Sequence, residues 1–427
     1  MLLFSLSLIG VAFFIGAPLF IAIGLGSALI CIFDWGMPIS IIGSLAFSKM
    51  NNWVLLAIPL FMLAGNLVMA GGTAERLLNF IRAWVGHLPG GLLVATVLFC
   101  TVFAALTGEP MAAVAAIAPI LVPTMLERGY TREVTGGILV SSSMLGNIIP
   151  PSTLFIILSA LMETPVTTLF IAGVGPGLIV AALLIIVAVV ISIRHGFPSE
   201  PPASWRTRWS TFGRAVPGML LAVIILVGIY GGFMTPTEAA AIACLYAIIV
   251  GWVVYRGFTW RSFFGAFAQA ARMTAVIYMC MAGIGLFAYV ISRLGFPQFL
   301  IEVIAQSQMS PFAFVLVFMV AFALMGFLLP PINTMIIMIP VLLPIFAAFD
   351  INLVWVAVLF VINVDAGGMT PPMAFMIYVT SAITKIPSHA IIRGVIPFCV
   401  VFFAVLLLVL FFPEIALWLP RIMGLPV

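Results

Sequence analysis

The sequence predicts an all-α polytopic membrane protein made of two inverted repeats, and three observations carry that prediction. Apolar runs of about 20 residues, enough to cross a bilayer as a helix, recur along nearly the whole chain. Of its 427 residues, 65% are hydrophobic and only 7% are charged, far from the composition of a soluble domain. Shifting the sequence by 221 residues also superimposes its helix breakers. Pro110 falls on Pro331, Pro119 on Pro340, Pro123 on Pro344 and Pro150-Pro151 on Pro371-Pro372, while Gly146 meets Gly367, Gly173 meets Gly394 and Pro176 meets Pro397. The chain holds 29 prolines, too few for one gapless offset to match so many by accident. It is a duplicated unit.

Each unit reads as five crossings plus a re-entrant hairpin. In the first, 2–16 and 17–33 pair tightly around Gly16-Ala17-Pro18, 53–71 is a third span and 74–86 an amphipathic helix. The first apolar run lacks a basic leader and a small-residue cleavage site, so it reads as a retained helix. The stretch 91–127 holds Thr107-Gly108-Glu109-Pro110 at its middle and suits a hairpin better than a single span. Residues 134–164 form a span broken at Pro150-Pro151, and 168–193 a full span. The second unit repeats this as 215–234, 235–255, 270–292, an amphipathic 298–309, a hairpin over 312–349, a broken span over 353–380 and a last span over 394–418.

An odd number of crossings turns the second unit over relative to the first. Basic residues test this independently. With the N-terminus outside, 13 of the 16 Lys and Arg fall on the inner side, leaving Lys49, Arg293 and Arg421 outside, as the positive-inside rule requires. The polar stretch 194–214 is then a cytoplasmic linker between the halves. Trp35, Trp53, Trp84, Trp252, Trp355 and Trp418 fall near span ends, where interfacial anchors belong.

Inverted repeats with paired hairpins and paired broken helices point to a secondary transporter whose site lies near the midplane. Proline removes a backbone donor and clashes with the carbonyl four residues back. The half-helices so created present C-terminal carbonyls suited to a cation such as Na+ and N-terminal N–H groups suited to a carboxylate. The expected cation ligands are Thr107, Gly108, Gly146, Asn147, Ile332, Asn333, Gly367, Gly368 and Thr370. The expected substrate contacts are Glu109, Pro150, Pro151, Ser152, Asp365, Pro371 and Pro372. A carboxylate at membrane depth is expensive, so Glu109 has a function: it binds a cation, complements a positively charged substrate group, or caps the half-helix that follows. Asp365 either gives a cation a hard oxygen or pairs with a polar neighbour. Thr235, Pro236 and Glu238 match N-cap, N1 and N3 of a capping box. Ser141, Ser142 and Ser143 lie within reach of a ligand or pack between helices.

Several classes are excluded. No GxxxxGK[ST] phosphate loop serves an ATP-driven pump, and no HExxH or nucleophile motif lies in a span to serve an intramembrane enzyme. Duplicated broken helices suit alternating access rather than a continuous channel. Cys31, Cys100, Cys244, Cys280 and Cys399 lack metal spacing and read as packing residues, and no cofactor beyond Na+ and no nucleic acid is implied.

GFMTPTEAA at 232–240, Gly146 to Ser152, the Pro-x-x-x-Pro of each hairpin and Thr370-Pro371-Pro372 resemble one family. It is the large membrane subunit of TRAP (tripartite ATP-independent periplasmic) transporters, within the ion-transporter superfamily of elevator carriers. The likeness covers nearly the whole chain, and TPTEAA is its most specific motif. It implies Na+-coupled import of a small organic acid or similar solute across the bacterial inner membrane. It further implies delivery by a periplasmic binding protein and a small four-helix membrane subunit as partner. By the same resemblance, 1–90 is scaffold and arm, 91–167 the first half of a moving transport domain and 168–311 scaffold, inter-repeat loop and second arm. Residues 312–384 are then the second transport half and 385–427 the last helix. The tip Leu106-Thr107-Gly108-Glu109-Pro110 departs from the family's Ser- and Gly-rich pattern and opens the option of a zwitterion or compatible solute. A stand-alone Na+- or H+-coupled carrier or antiporter of the same superfamily is the alternative.

The topology has a direct test. Cysteines placed at 200–210 react only from the cytoplasmic face, and labelling by an impermeant reagent added outside intact cells refutes the orientation.

Overall fold

The computed structural model describes residues 19–326, 331–371 and 374–427. Helices are the only regular elements among the described residues. The first repeat carries α1 (Leu19–Leu29), α2 (Ile39–Met50), α3 (Ala57–Ala70) and the amphipathic α4 (Thr73–Val85). A hairpin follows, α5 (Gly91–Thr107) and α6 (Pro110–Glu127). The broken span is α7 (Arg132–Ser143), the single turn α8 (Leu145–Ile148) and α9 (Thr153–Met162), followed by α10 (Val166–His195). The second repeat has α11 (Trp205–Tyr230), α12 (Pro236–Ile249), α13 (Trp260–Arg293) and α14 (Phe296–Gln306). Its hairpin is α15 (Pro311–Gly326) and α16 (Pro331–Ala348), its broken span α17 (Leu353–Met369) and α18 (Phe375–Thr384). The chain closes with α19 (Ser388–Phe411) and α20 (Glu414–Ile422).

The 221-residue offset carries α6 onto α16 residue for residue, and α7 with α8 onto the full length of α17. Among the described residues, eight helices are long and apolar enough to cross a membrane. Expected span 2–16 and the Gly16-Ala17-Pro18 turn lie outside the described residues. Helix α2 was not expected, because its 12 residues are too short for a crossing. In the repeat register it matches the first turns of the 34-residue α13, so α2 and α3 are two pieces of what the second repeat builds as one helix. Asn52 makes the interruption: its side chain accepts from the Val54 N–H at 2.9 Å, offering the backbone an alternative to the helix.

Three other expectations change. The linker shrinks to 196–204, because Ser204 caps α11 by accepting from the Thr207 N–H and nothing after it breaks the helix until the membrane. Glu200 pins what remains, pairing with Arg82 at 2.6 Å and Arg128 at 3.2 Å. The last span ends at Phe411, since Pro413 cannot donate onward, and Trp418 belongs to the separate α20. Trp355 is buried, not an interfacial anchor; its indole donates to the Val409 carbonyl at 2.8 Å. The Thr235–Glu238 capping box stands as expected, with the Thr235 N–H donating to Glu238 Oε2 at 2.8 Å.

The two broken spans are the most enclosed elements. From Val354 to Met369 every residue of α17 is buried, as is every residue of α9. A helix buried on all sides must be surrounded by protein, and α17 is packed by the second hairpin together with α10, α18 and α19. Phe318, Phe322, Phe346 and Phe360 fill the junction of the second hairpin with α17, with Phe322 and Phe360 centroids 4.5 Å apart. Glycine sets the closest crossing. A Cβ on Gly394 of α19 would collide with the Glu133 carbonyl, and one on Gly137 of α7 with the Gly394 carbonyl.

That crossing joins the two repeats backbone to backbone, as small residues do between membrane helices. Gly394→Ala therefore overpacks it and lowers stability by about 1–3 kcal/mol, read as melting temperature in detergent. Gly43→Ala, where a Cβ meets nothing within 4 Å, leaves the melting temperature unchanged or higher.

Candidate functional site

The first hairpin tip forms because Gly108 ends α5 in the left-handed region, φ +63°, which a side chain would strain. Glu109 then takes extended backbone and caps α6, its Oε1 accepting the Met111 N–H at 3.4 Å, while Pro110 fills N1, where no donor is needed. The capping role expected for Glu109 is present. Its geometry is long, and among the described residues no ion pair reaches the carboxylate.

This tip nests in the first break. Extended Ile149 and Ser152 flank a bend through the cis Pro150-Pro151 bond, and Ser152 restarts the helix by accepting the Phe155 N–H at 3.4 Å. The Gly108 carbonyl receives both the N–H and the hydroxyl of Thr153, each at 3.4 Å, and Gly108 lies against the Pro151 carbonyl. Gly146 lets the tip approach: a Cβ there would sit 3.1 Å from the Pro110 nitrogen. Its repeat counterpart does the same at the second break, where a Cβ on Gly367 would lie 3.2 Å from Gly326, at the end of α15. Thr370 donates to the Ala366 carbonyl at 2.7 Å and lies 3.4 Å from Cys399 Sγ. Gly368 is buried beside it, Pro371 is exposed, and Pro372 lies outside the described residues.

One bond ties the two breaks together. Asn147 Nδ2 donates to Asp365 Oδ1 at 2.5 Å, with Asp365 fully buried. Asp365 Oδ2 and Asn363 Oδ1 have no protein partner among the described residues. Of the three serines, Ser142 and Ser143 bond back to their own helix and Ser141 finds no partner among the described residues.

A cavity of about 270 Å³ opens between these parts, lined by Glu109, Asn147, Thr153, Ile332, Asn333, Phe375 and Met376, with Met62, Met273 and Ile277 of α3 and α13 opposite. A second cavity of about 270 Å³ adjoins it through Met62, Glu109, Met111 and Met273 and adds Thr107, Asn66 and Gln269. The structure thus brings Thr107, Glu109, Asn147, Ile332 and Asn333 onto continuous cavity wall. Asp365, Gly367, Gly368 and Thr370 are not part of that wall; they pack behind it. The methionines of α3 and α13 escaped sequence reasoning because single apolar residues in plain spans carry no motif. Asn66 alone gave a signal, as a buried amide, and it donates to the Ala266 carbonyl at 3.3 Å, joining α3 to α13.

The Asn147–Asp365 bond makes a prediction. Asn147→Ala leaves a buried carboxyl without its donor and destabilises the protein by about 1–3 kcal/mol, whereas Asn147→Gln, which keeps an amide, loses less. Thermal unfolding of the two purified variants measures the difference.

The description "Tripartite ATP-independent periplasmic transporter, DctM component" matches residues 6–415. The C4-dicarboxylate TRAP transporter large permease protein DctM of Pseudomonas aeruginosa is 35% identical over 378 residues, 88% of each chain. The ectoine TRAP transporter large permease protein TeaC of Halomonas elongata is also 35% identical, over 365 residues and 86% of each chain. Among solved structures, Neisseria gonorrhoeae MtrF, described as illuminating a class of antimetabolite efflux pumps, shares the fold with a TM-score of 0.64 at 11% identity, covering 93% of this chain and 87% of its own. Nested hairpin tips, paired breaks and a match over almost the full length converge: the chain belongs to the tripartite ATP-independent periplasmic transporters, as a member of their large membrane permease (DctM) component.

Proposed function

We propose that this permease imports a small organic solute coupled to Na+, in two inverted repeats that work as an elevator. The observation that carries this is the cavity lined on one side by the first hairpin tip, the first break and the starts of α16 and α18, and on the other by α3 and α13. Such a seam is where one body slides past another and exposes a midplane site to alternate sides. In this scheme α5 to α9 with α15 to α18 form the moving part, and α3 and α13 belong to the fixed scaffold. The carbonyls around Thr107-Gly108, Gly146 and Gly367-Gly368, gathered at helix breaks in the interior, are the Na+ ligands the scheme calls for. A small membrane subunit and a periplasmic binding protein complete the tripartite assembly in the bacterial inner membrane, with the N-terminus periplasmic. Two relatives equally similar to this chain are named for different solutes, a C4-dicarboxylate and ectoine, so overall likeness does not choose the substrate. The likeness to MtrF is one of fold alone and lends the stand-alone carrier no chemistry.

Reconstitution tests the coupling. In proteoliposomes supplied with the partner proteins, replacing external Na+ by choline at fixed pH abolishes uptake of the solute. Transport that persists unchanged refutes sodium coupling and directs attention to protons at Glu109 or Asp365.

A further inference from the structure

We infer that Glu109 selects for a solute carrying a positive charge, a protonated amine or amidine within a zwitterion, and against dianions. This deepens the reading of the cavity as the substrate site and rests on it.

The first ground is charge. Glu109 lines both adjoining cavities at their shared wall, half-buried, with one long hydrogen bond from Met111 and no ion pair among the described residues. The stretches 91–127, 134–164 and 296–384 contain no Lys, Arg or His at all. The opposite wall is also neutral: it is built from Met62, Met273 and Ile277, and Arg272, although next to Met273 in sequence, is exposed and does not line the cavity. With the coupling Na+ as its one source of cationic charge, a cavity that already holds a carboxylate and has no cationic side chain among the described residues would receive a solute with two carboxylates at a net excess of negative charge. Like charges at such range are strongly unfavourable, whereas an ammonium beside Glu109 gives both charges a partner.

The second ground is the arrangement around that charge. Helices α9 and α16 both begin at the cavity, where Thr153 and Asn333 line the wall. The Thr153 and Phe155 N–H groups are already taken by the Gly108 carbonyl and Ser152 Oγ, so α9 contributes its dipole rather than free donors. Helix N-termini bring fixed partial positive charge without an ionised base, enough for the single carboxylate of a zwitterion. Glu109 sits at the start of α6, so opposite polarities face one small space: a carboxylate for the cationic end, two helix starts for the anionic end. Methionine walls adapt to a compact apolar body between them.

The test is equilibrium binding to the purified permease in lipid nanodiscs, at fixed Na+ and without binding protein, using ectoine and 4-aminobutyrate as zwitterionic probes and succinate as the dianion. On the wild type, at least one zwitterion binds about tenfold or more tightly than succinate. Glu109→Gln removes that preference by at least about tenfold, while Glu109→Asp, which keeps the charge, retains most of it. A succinate affinity equal to or above that of both zwitterions, or a preference that survives Glu109→Gln, overturns the inference. Asn333→Ala separates the two levels of the argument. If it weakens every probe while Glu109→Gln leaves the preference intact, the site stands and the charge selection falls. If neither variant changes any binding, the cavity is not the substrate site.

Discussion

A proline inside an apolar interior leaves backbone groups with no helical partner and no water, and the organisation of this permease follows from how those groups are answered. Each break is met by a hairpin. At the first, the Gly108 carbonyl takes the Thr153 N–H and hydroxyl, while Gly146 lets the Glu109-Pro110 backbone close on the helix. At the second, Gly367 admits Gly326 in the corresponding place. The glycines are there for approach distance, because a Cβ at either would be a tight 3.1–3.2 Å from the facing backbone and push it back. Hairpin and break are therefore one unit, and neither makes physical sense alone.

The two units are then coupled through a buried acid. Asp365 has no access to solvent and relies on Asn147, from the other repeat, for its hydrogen bond. A buried carboxyl deprived of its donor is costly, so this one bond, between residues 218 apart in sequence, ties the two breaks together. The Gly137–Gly394 crossing adds a second tie between repeats, made of backbone contact rather than polar chemistry. Together they hold the cavity wall formed by Glu109, Asn147 and Asn333 in a defined shape.

Duplication does not make the repeats identical, and the differences are informative. The first repeat interrupts its third span with Asn51-Asn52, giving α2 and α3, where the second runs straight through α13. The first broken span pauses at Met144 before α8, while α17 continues unbroken to Met369. The first hairpin puts a carboxylate, Glu109, on the cavity wall, whereas the sequence 311–349 of the second holds no acid. A duplicated scaffold thus surrounds a cavity that is not symmetric.

The sequence by itself determined the class, the repeat and the breakers, because proline and glycine act locally and their effects do not depend on distant partners. It placed the turn of the first hairpin at Thr107-Gly108-Glu109-Pro110, because glycine and proline end and start helices there, whereas Ile332 and Asn333, expected at the second tip, lie in the first turn of α16. It left Asp365 between two roles, since whether a buried acid finds an amide 218 residues away depends on tertiary packing. It placed Trp355 at an interface, when its burial depends on α19 passing close enough to offer the Val409 carbonyl. It missed α2 because a short apolar helix is stabilised by its neighbours rather than by its own length. The opposing wall of Met62 and Met273 was equally out of reach. An apolar residue in a span has the same local signature whether it faces lipid, core or substrate, and only the three-dimensional arrangement of the helices decides among them.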